Sequence, residues 1–118
     1  MSLSELNVYK ILNAEYWVEA QRTGLISGSP PDRADGYIHL SSRAQTQETL
    51  ARHFARERGL VLVAFDAAAL GDALKWEPSR GGDLFPHFYG AIPLVQALWS
   101  APLPLDAAGV HILPDTTA

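Results

Sequence analysis

Two stretches of the chain place histidines in company that can do chemistry. In DGYIHLS, Asp35 to Ser41, His39 is flanked by Tyr37 and Ser41, with Ser42 and Arg43 just beyond. In LFPHFYG, Leu84 to Gly90, His87 sits between Pro86 and Phe88, with Tyr89 following. Imidazole gains and loses a proton near neutral pH, so either ring can donate, accept or shuttle one. A strand alternates its side chains, which pairs Ile38 with Leu40 as core and puts Tyr37, His39 and Ser41 on the other face. Phenol, imidazole and hydroxyl together suit a ligand that stacks on a ring and hydrogen-bonds to its neighbours. The plainer alternative makes His39 a structural residue bonded to a backbone carbonyl or to Asp35. For His87, the functional reading is a rigid loop tip, with Pro86 fixing the backbone and Gly90 permitting a tight turn. The plain one is a loop histidine packed among aromatics.

Glu77 is the carboxylate that stands out. In KWEPS, alternation puts Trp76 with Pro78 on one face, and Lys75, Glu77 and Ser79 on the other. Trp76 is then core while Glu77 points into a cleft; a solvated Glu–Lys strand face is the alternative. Asp35 and Asp83 stand beside glycines, where aspartate usually serves a turn. The SGSPPDR segment can offer Ser27, Ser29 and Arg33 to an anion, or serve as a plain loop. Arg80 to Asp83, RGGD, lacks the lysine and length of a phosphate-cradling loop and reads as a hinge. Arg52, Arg56 and Arg58 are interleaved with Glu48 and Glu57, as on a solvated helix face. The histidines show no close ligand spacing, so no metal is expected. No Gly-x-Ser-x-Gly elbow appears.

The elements that must position these groups follow from periodicity. NVYKIL, Asn7 to Leu12, alternates as a strand, and Asn13 can cap the helix AEYWVEAQRT, which Gly24 ends. Prolines, glycines and aspartates make ISGSPPDRADG a long loop. The run from Arg43 to Gly59 reads as the clearest helix, with Leu50, Ala51 and Phe54 at helical spacing. LVLVAFD is apolar on both faces, as in a central strand. AAALGDAL reads as a helical turn, KWEPSR as a strand and LFPHFYG as a loop. IPLVQALWSAPLPL is β-compatible, with Pro93 and Pro102 at ends or an edge, and GVHILP is a short final strand. Strands and helices in mixed order predict an α+β fold with a mostly antiparallel twisted sheet and two main helices.

The bulk numbers narrow the class. The 118 residues suit a single domain, 1–118, with its core at about 7–114. Hydrophobic residues at 47% and charged residues at 19% are ordinary for a folded globule. There is no cysteine, which excludes disulfides and thiolate chemistry and fits a cytoplasmic location. Glu5, Asn7 and Lys10 interrupt the N-terminal stretch where a secretory leader needs an apolar run. No membrane span is expected. A net charge of −4 gives no general attraction to nucleic acid or anionic lipid, so neither is expected as a partner.

The stretches VYKIL, DGYIHLS, KWE and FPHFYG, with IPL after the last, resemble the bacterial family called domain of unknown function 952, over about Val8 to Pro114. That family's fold is similar to the fold of ADP-ribosyltransferases and RNA 2′-phosphotransferases. The resemblance implies an ADP-ribosyltransferase-like architecture and NAD as a substrate. It also implies roles: His39 orienting a ribose, Tyr37 or Tyr89 stacking on a ring, and Glu77 supporting a developing oxocarbenium cation. The chain departs from many such transferases in having IHLS where they carry His-Gly-Ser or His-Gly-Thr, and Arg43 alone stands for an arginine-rich site.

Together these readings define one polar cleft, with His39, Glu77 and His87 as catalytic candidates. Tyr37, Ser41, Ser42, Arg43, Tyr89, Ser29 and Arg33 are the ligand-binding candidates. The function expected is an NAD-linked ADP-ribosyl-type transferase or glycohydrolase. The alternatives are a non-catalytic nucleotide or small-ligand module, and a protein-interaction domain anchored by exposed Phe85, Phe88 and Tyr89.

Overall fold

The computed structural model describes Leu3 and residues 6–115. Part of the N-terminal stretch, including Glu5, lies outside the described residues. Strand β1 (Asn7–Leu12) gives way at Asn13, whose Oδ1 accepts the Tyr16 N–H at 2.8 Å and starts helix α1 (Ala14–Thr23). Gly24, at φ 77°, stops that helix in a left-handed conformation that costs glycine little. Strand β2 (Leu25–Ile26) follows.

The expected long loop then contains a helix, α2 (Pro30–Asp35). Its two prolines occupy the first turn, where a backbone N–H has no intrahelical partner to lose. Ser29 and Asp32 form a capping box around that turn. The proline and aspartate composition that argued for a loop is thus the start signal of a short helix.

The remaining elements run in order. They are β3 (Ile38–His39), β4 (Ser41–Ser42), α3 (Thr46–His53), β5 (Val61–Asp66), α4 (Ala67–Leu70), β6 (Leu74–Pro78), β7 (Leu84–Phe88), β8 (Ile92–Pro93) and β9 (Trp99–Pro102). Helix α3 ends at His53 rather than Gly59, and Arg56 takes a left-handed backbone (φ 62°) beyond its end. LFPHFYG, expected as a loop, supplies strand β7. Pro86 has no N–H to give, but its carbonyl accepts from Leu40 N–H at 3.0 Å. GVHILP makes only a single bridge, Leu105 with His111. Among the described residues the fold is α+β with antiparallel sheets.

Among the described residues three sheets result: β4-β1-β5-β9, β2-β8 and β3-β7-β6. Strand β5 is central in the first, pairing with β1 from Asn7↔Asp66 to Leu12↔Val61 and with β9 on its other edge. Each face of this sheet carries its own core. Val8, Leu12, Val63 and Phe65 pack with Ala20 of α1, and with Ile26, Ile38, Phe88 and Ile92 of the smaller sheets. Tyr9, Ile11, Leu62 and Ala64 pack with Leu50 of α3 and with Leu103. Burying a large aliphatic side chain stabilises by about 1.5–3 kcal/mol, so these two layers carry most of the drive to fold.

The chain changes sheets at Leu40. Strand β3 pairs with β7, whereas β4 pairs with β1. That switch ends the simple alternation expected from Tyr37 to Ser41.

Candidate functional site

Strand register brings the two histidines together. His39 of β3 lies directly opposite His87 of β7, with ring centroids 5.5 Å apart. Ile38 and Phe88, the neighbouring pair, point into the core. By alternation the histidines occupy the outward face of the three-stranded sheet. Tyr37 lies over this pair: its ring stacks on His87 at 4.0 Å and 26°, and tilts against His39 at 4.8 Å. Tyr89 completes the cluster, 5.3 Å from Tyr37.

Each histidine has a carboxylate. Lys75 opposes His87 and Glu77 opposes Phe85, so Glu77 reaches His87 diagonally across the ladder. Glu77 Oε1 accepts from His87 Nδ1 at 2.9 Å and from the Tyr89 hydroxyl at 2.8 Å. These bonds, His87's first, hold the Glu77 carboxyl below the usual carboxylate range, so it is an anion. The same bond holds the Tyr89 phenol proton more tightly, and burial does so for Tyr37.

His39 is held differently. Asp32, from the first turn of α2, presents Oδ1 to both His39 Nδ1 (2.6 Å) and the His39 N–H (2.9 Å). Its Oδ2 accepts from the Ser29 N–H at 2.8 Å and from Lys10 Nζ at 2.9 Å. Lys10 Nζ also donates to the His39 carbonyl at 3.0 Å. Burial opposes the charge on Asp32, but the His39 bonds and the Lys10 ammonium outweigh it and hold the carboxyl far below its ordinary range. Burial likewise lowers the Lys10 amine, with Asp32 opposing. On the open side, His39 Nε2 lies 2.9 Å from Asp35 Oδ2. The plain reading of His39 as a partner of Asp35 therefore describes a real contact, made by a ring that is still about a third exposed.

The sequence missed Lys10 and Asp32. A signal existed: Lys10 falls between Val8 and Leu12 on a buried strand face, and an ammonium there requires a carboxylate.

Several candidates are placed elsewhere than expected. Ser41 is buried, its Oγ bonded to Thr49 Oγ1 at 3.0 Å, because β4 belongs to the other sheet. The Ser42 carbonyl accepts the Thr46 hydroxyl at 2.8 Å, and Arg43 lies in the turn leading into α3, its carbonyl taking the Thr46 N–H. Ser29 serves the capping box of α2. Arg33, with Ser27 and Gly28, lines a cavity of about 310 Å³ beside α1, together with Tyr16 and Ile26. His87 is brought to the site but sealed beneath Tyr37, with 2% of its side chain exposed. Trp76, expected in the core, is 45% exposed. Phe85 and Phe88 are buried, which removes the exposed aromatic anchor and leaves only Tyr89 of that trio open.

Residues 11–100 match the family described as "Protein of unknown function (DUF952)", and the chain belongs to that family. It is similar to protein CC0527 from Caulobacter crescentus. The crystal structure of that protein is 46% identical and has a TM-score of 0.86, covering 90% of this chain and 93% of that one. Its solution NMR structure is 47% identical with a TM-score of 0.81, covering 89% and 90%. No curated protein matches. No helix among the described residues is long and apolar enough to cross a membrane.

Proposed function

We propose that the chain is an ADP-ribosyltransferase-like enzyme that cleaves the bond between nicotinamide and ribose in NAD and transfers the ADP-ribosyl group to water or another acceptor. The observation that carries this reading is Glu77. Its carboxylate is anionic, partly open to solvent, and lies beside the Tyr37 and Tyr89 rings.

Electron-rich phenol faces beside a carboxylate favour a flat cation over an anion. The nicotinamide of NAD is a flat cation. Lys10, the buried ammonium nearby, is already paired with Asp32. When the C1′–N bond breaks, its electron pair leaves on nitrogen and neutral nicotinamide departs. The ribose carbon becomes an oxocarbenium ion, and water or another hydroxyl adds there and sheds a proton. Glu77 binds that cation more strongly than the ground state, which lowers the barrier. His39 Nε2 orients a ribose hydroxyl.

The test is incubation with NAD, with released nicotinamide measured by chromatography and the melting temperature recorded in parallel. Nicotinamide release is expected, and Glu77→Gln should cut it by roughly 10²–10³-fold, the usual scale for losing one group that stabilises transition-state charge. Stabilisation by NAD without nicotinamide release would replace this reading with a binding module. Turnover untouched by Glu77→Gln would remove the acid.

A further inference from the structure

The contacts behind His39 assign a second, buried layer to the site. Three groups from three separate elements meet there: Lys10 from β1, Asp32 from α2 and His39 from β3. Asp32 and Lys10 are 3% and 6% exposed. An ion pair this deep loses hydration that its own attraction only partly restores, so it contributes little stability over an apolar pair of the same size. Its geometry is more informative. All four bonds to the Asp32 carboxylate are at 2.9 Å or less, and two of them go to the same residue, His39, through ring and backbone. Lys10 grips the other end of His39 through its carbonyl.

We propose that Lys10 and Asp32 are positioning residues that fix the tautomer of His39, so that Nδ1 carries the proton and Nε2 faces the ligand. A carboxylate only accepts, so the ring nitrogen 2.6 Å from Asp32 Oδ1 must donate. In a neutral ring that leaves the lone pair on Nε2. By the same rule Nε2 donates to Asp35 Oδ2 while that contact is made. The neutral ring is therefore the one that has parted from Asp35, whose contact is the longer of the two and whose side chain is 51% exposed, and has kept Asp32. A ribose hydroxyl takes the place of Asp35 by donating to Nε2. The assignment deepens the function proposed above and uses the same site, but its primary readout needs no substrate.

That readout is the long-range proton–nitrogen NMR spectrum of the imidazoles in mildly alkaline buffer. The His39 signals are assigned among the four histidines by comparison with His39→Gln. The wild-type ring is expected as the Nδ1–H tautomer. Asp32→Asn offers an amide NH₂ where two donors once met a carboxylate. The amide flips to face Nδ1 with its nitrogen, and the ring is expected to move to the Nε2–H form. Lys10→Met removes both the ammonium on Asp32 and the grip on the His39 carbonyl, so the ring is expected to lose its single tautomer and show both, whereas Lys10→Arg keeps the charge and the wild-type tautomer.

A wild-type ring protonated at Nε2, or an Asp32→Asn ring still protonated at Nδ1, overturns the proposal. If Asp32→Asn does not fold, the wild-type spectrum alone decides. No change in folded Lys10→Met, or a change in Lys10→Arg, removes Lys10 from it. With NAD, Asp32→Asn is expected to lower nicotinamide release by about a hundredfold or more, as when a histidine loses the partner that sets its tautomer. If the wild-type spectrum is as expected and no nicotinamide is released, the positioning role stands and the proposed reaction falls.

Discussion

The two histidine–carboxylate pairs are built inside out relative to each other. In the first, the carboxylate is buried and the ring open: Asp32 exposes 2% of its side chain and His39 34%. In the second the ring is buried and the carboxylate open, with His87 at 2% and Glu77 at 38%. A buried member is locked by packing and cannot meet a ligand; an open member can. The contrast separates holders from workers. Asp32 and His87 are the buried members, and in the proposed site they fix direction and charge while His39 and Glu77 are the members open to a ligand. His87 was a catalytic candidate by residue type, and the comparison makes it the group that keeps Glu77 anionic and aimed.

The contrast breaks most visibly on truncation. Asp32→Ala leaves the Lys10 ammonium buried without its carboxylate and should cost about 3–5 kcal/mol in urea unfolding. Glu77→Gln should leave the unfolding midpoint close to wild type, and equal losses in the two variants would erase the distinction. A smaller effect is expected at Gly28, where φ is 102° and an added Cβ would lie 2.9 Å from Asp32 Cβ. Gly28→Ala should destabilise by more than about 1 kcal/mol and push Asp32 off His39, seen as a change in the His39 ring resonances.

Acid titration sharpens the comparison at the low end. Asp32 and Glu77 both have folded pKa values below their unfolded ones, so the native state binds fewer protons in acid. Their stabilisation is complete above the ordinary carboxylate range and is lost as pH falls through it and below. The Asp32 share should persist in high salt because Asp32 and Lys10 are both buried, while the Glu77 share should shrink. Stability measured from pH 6 down to pH 2, with and without added salt, in wild type and Glu77→Gln, separates the two.

Much of the site was legible because strand alternation and residue type pointed the same way. Tyr37, His39, Glu77, His87 and Tyr89 were all singled out; register gathers His39, Glu77 and His87, and the Tyr37 and Tyr89 rings pack beside them. Failures came where a local signal had two meanings. Prolines read as loop chemistry are also first-turn residues, so α2 and its buried Asp32 were missed. LFPHFYG was read as a loop with Pro86 fixing its tip, yet β7 pairs on both sides. Ser41 was lost for a different reason: alternation holds within one strand, and the chain leaves its sheet at Leu40. No periodicity in the sequence records such a change of partner, because it is set by packing between distant segments.

The capping box of α2 has one last consequence. The carboxylate that starts that helix, through the Ser29 N–H, is the one that grips the imidazole. Fraying of the first turn and release of the ring are therefore a single event, and the lifetime of six residues of helix sets how long the imidazole stays clamped. Amide exchange at Ser29 and His39 should then proceed in step, at a rate distinct from that of the central strand β5.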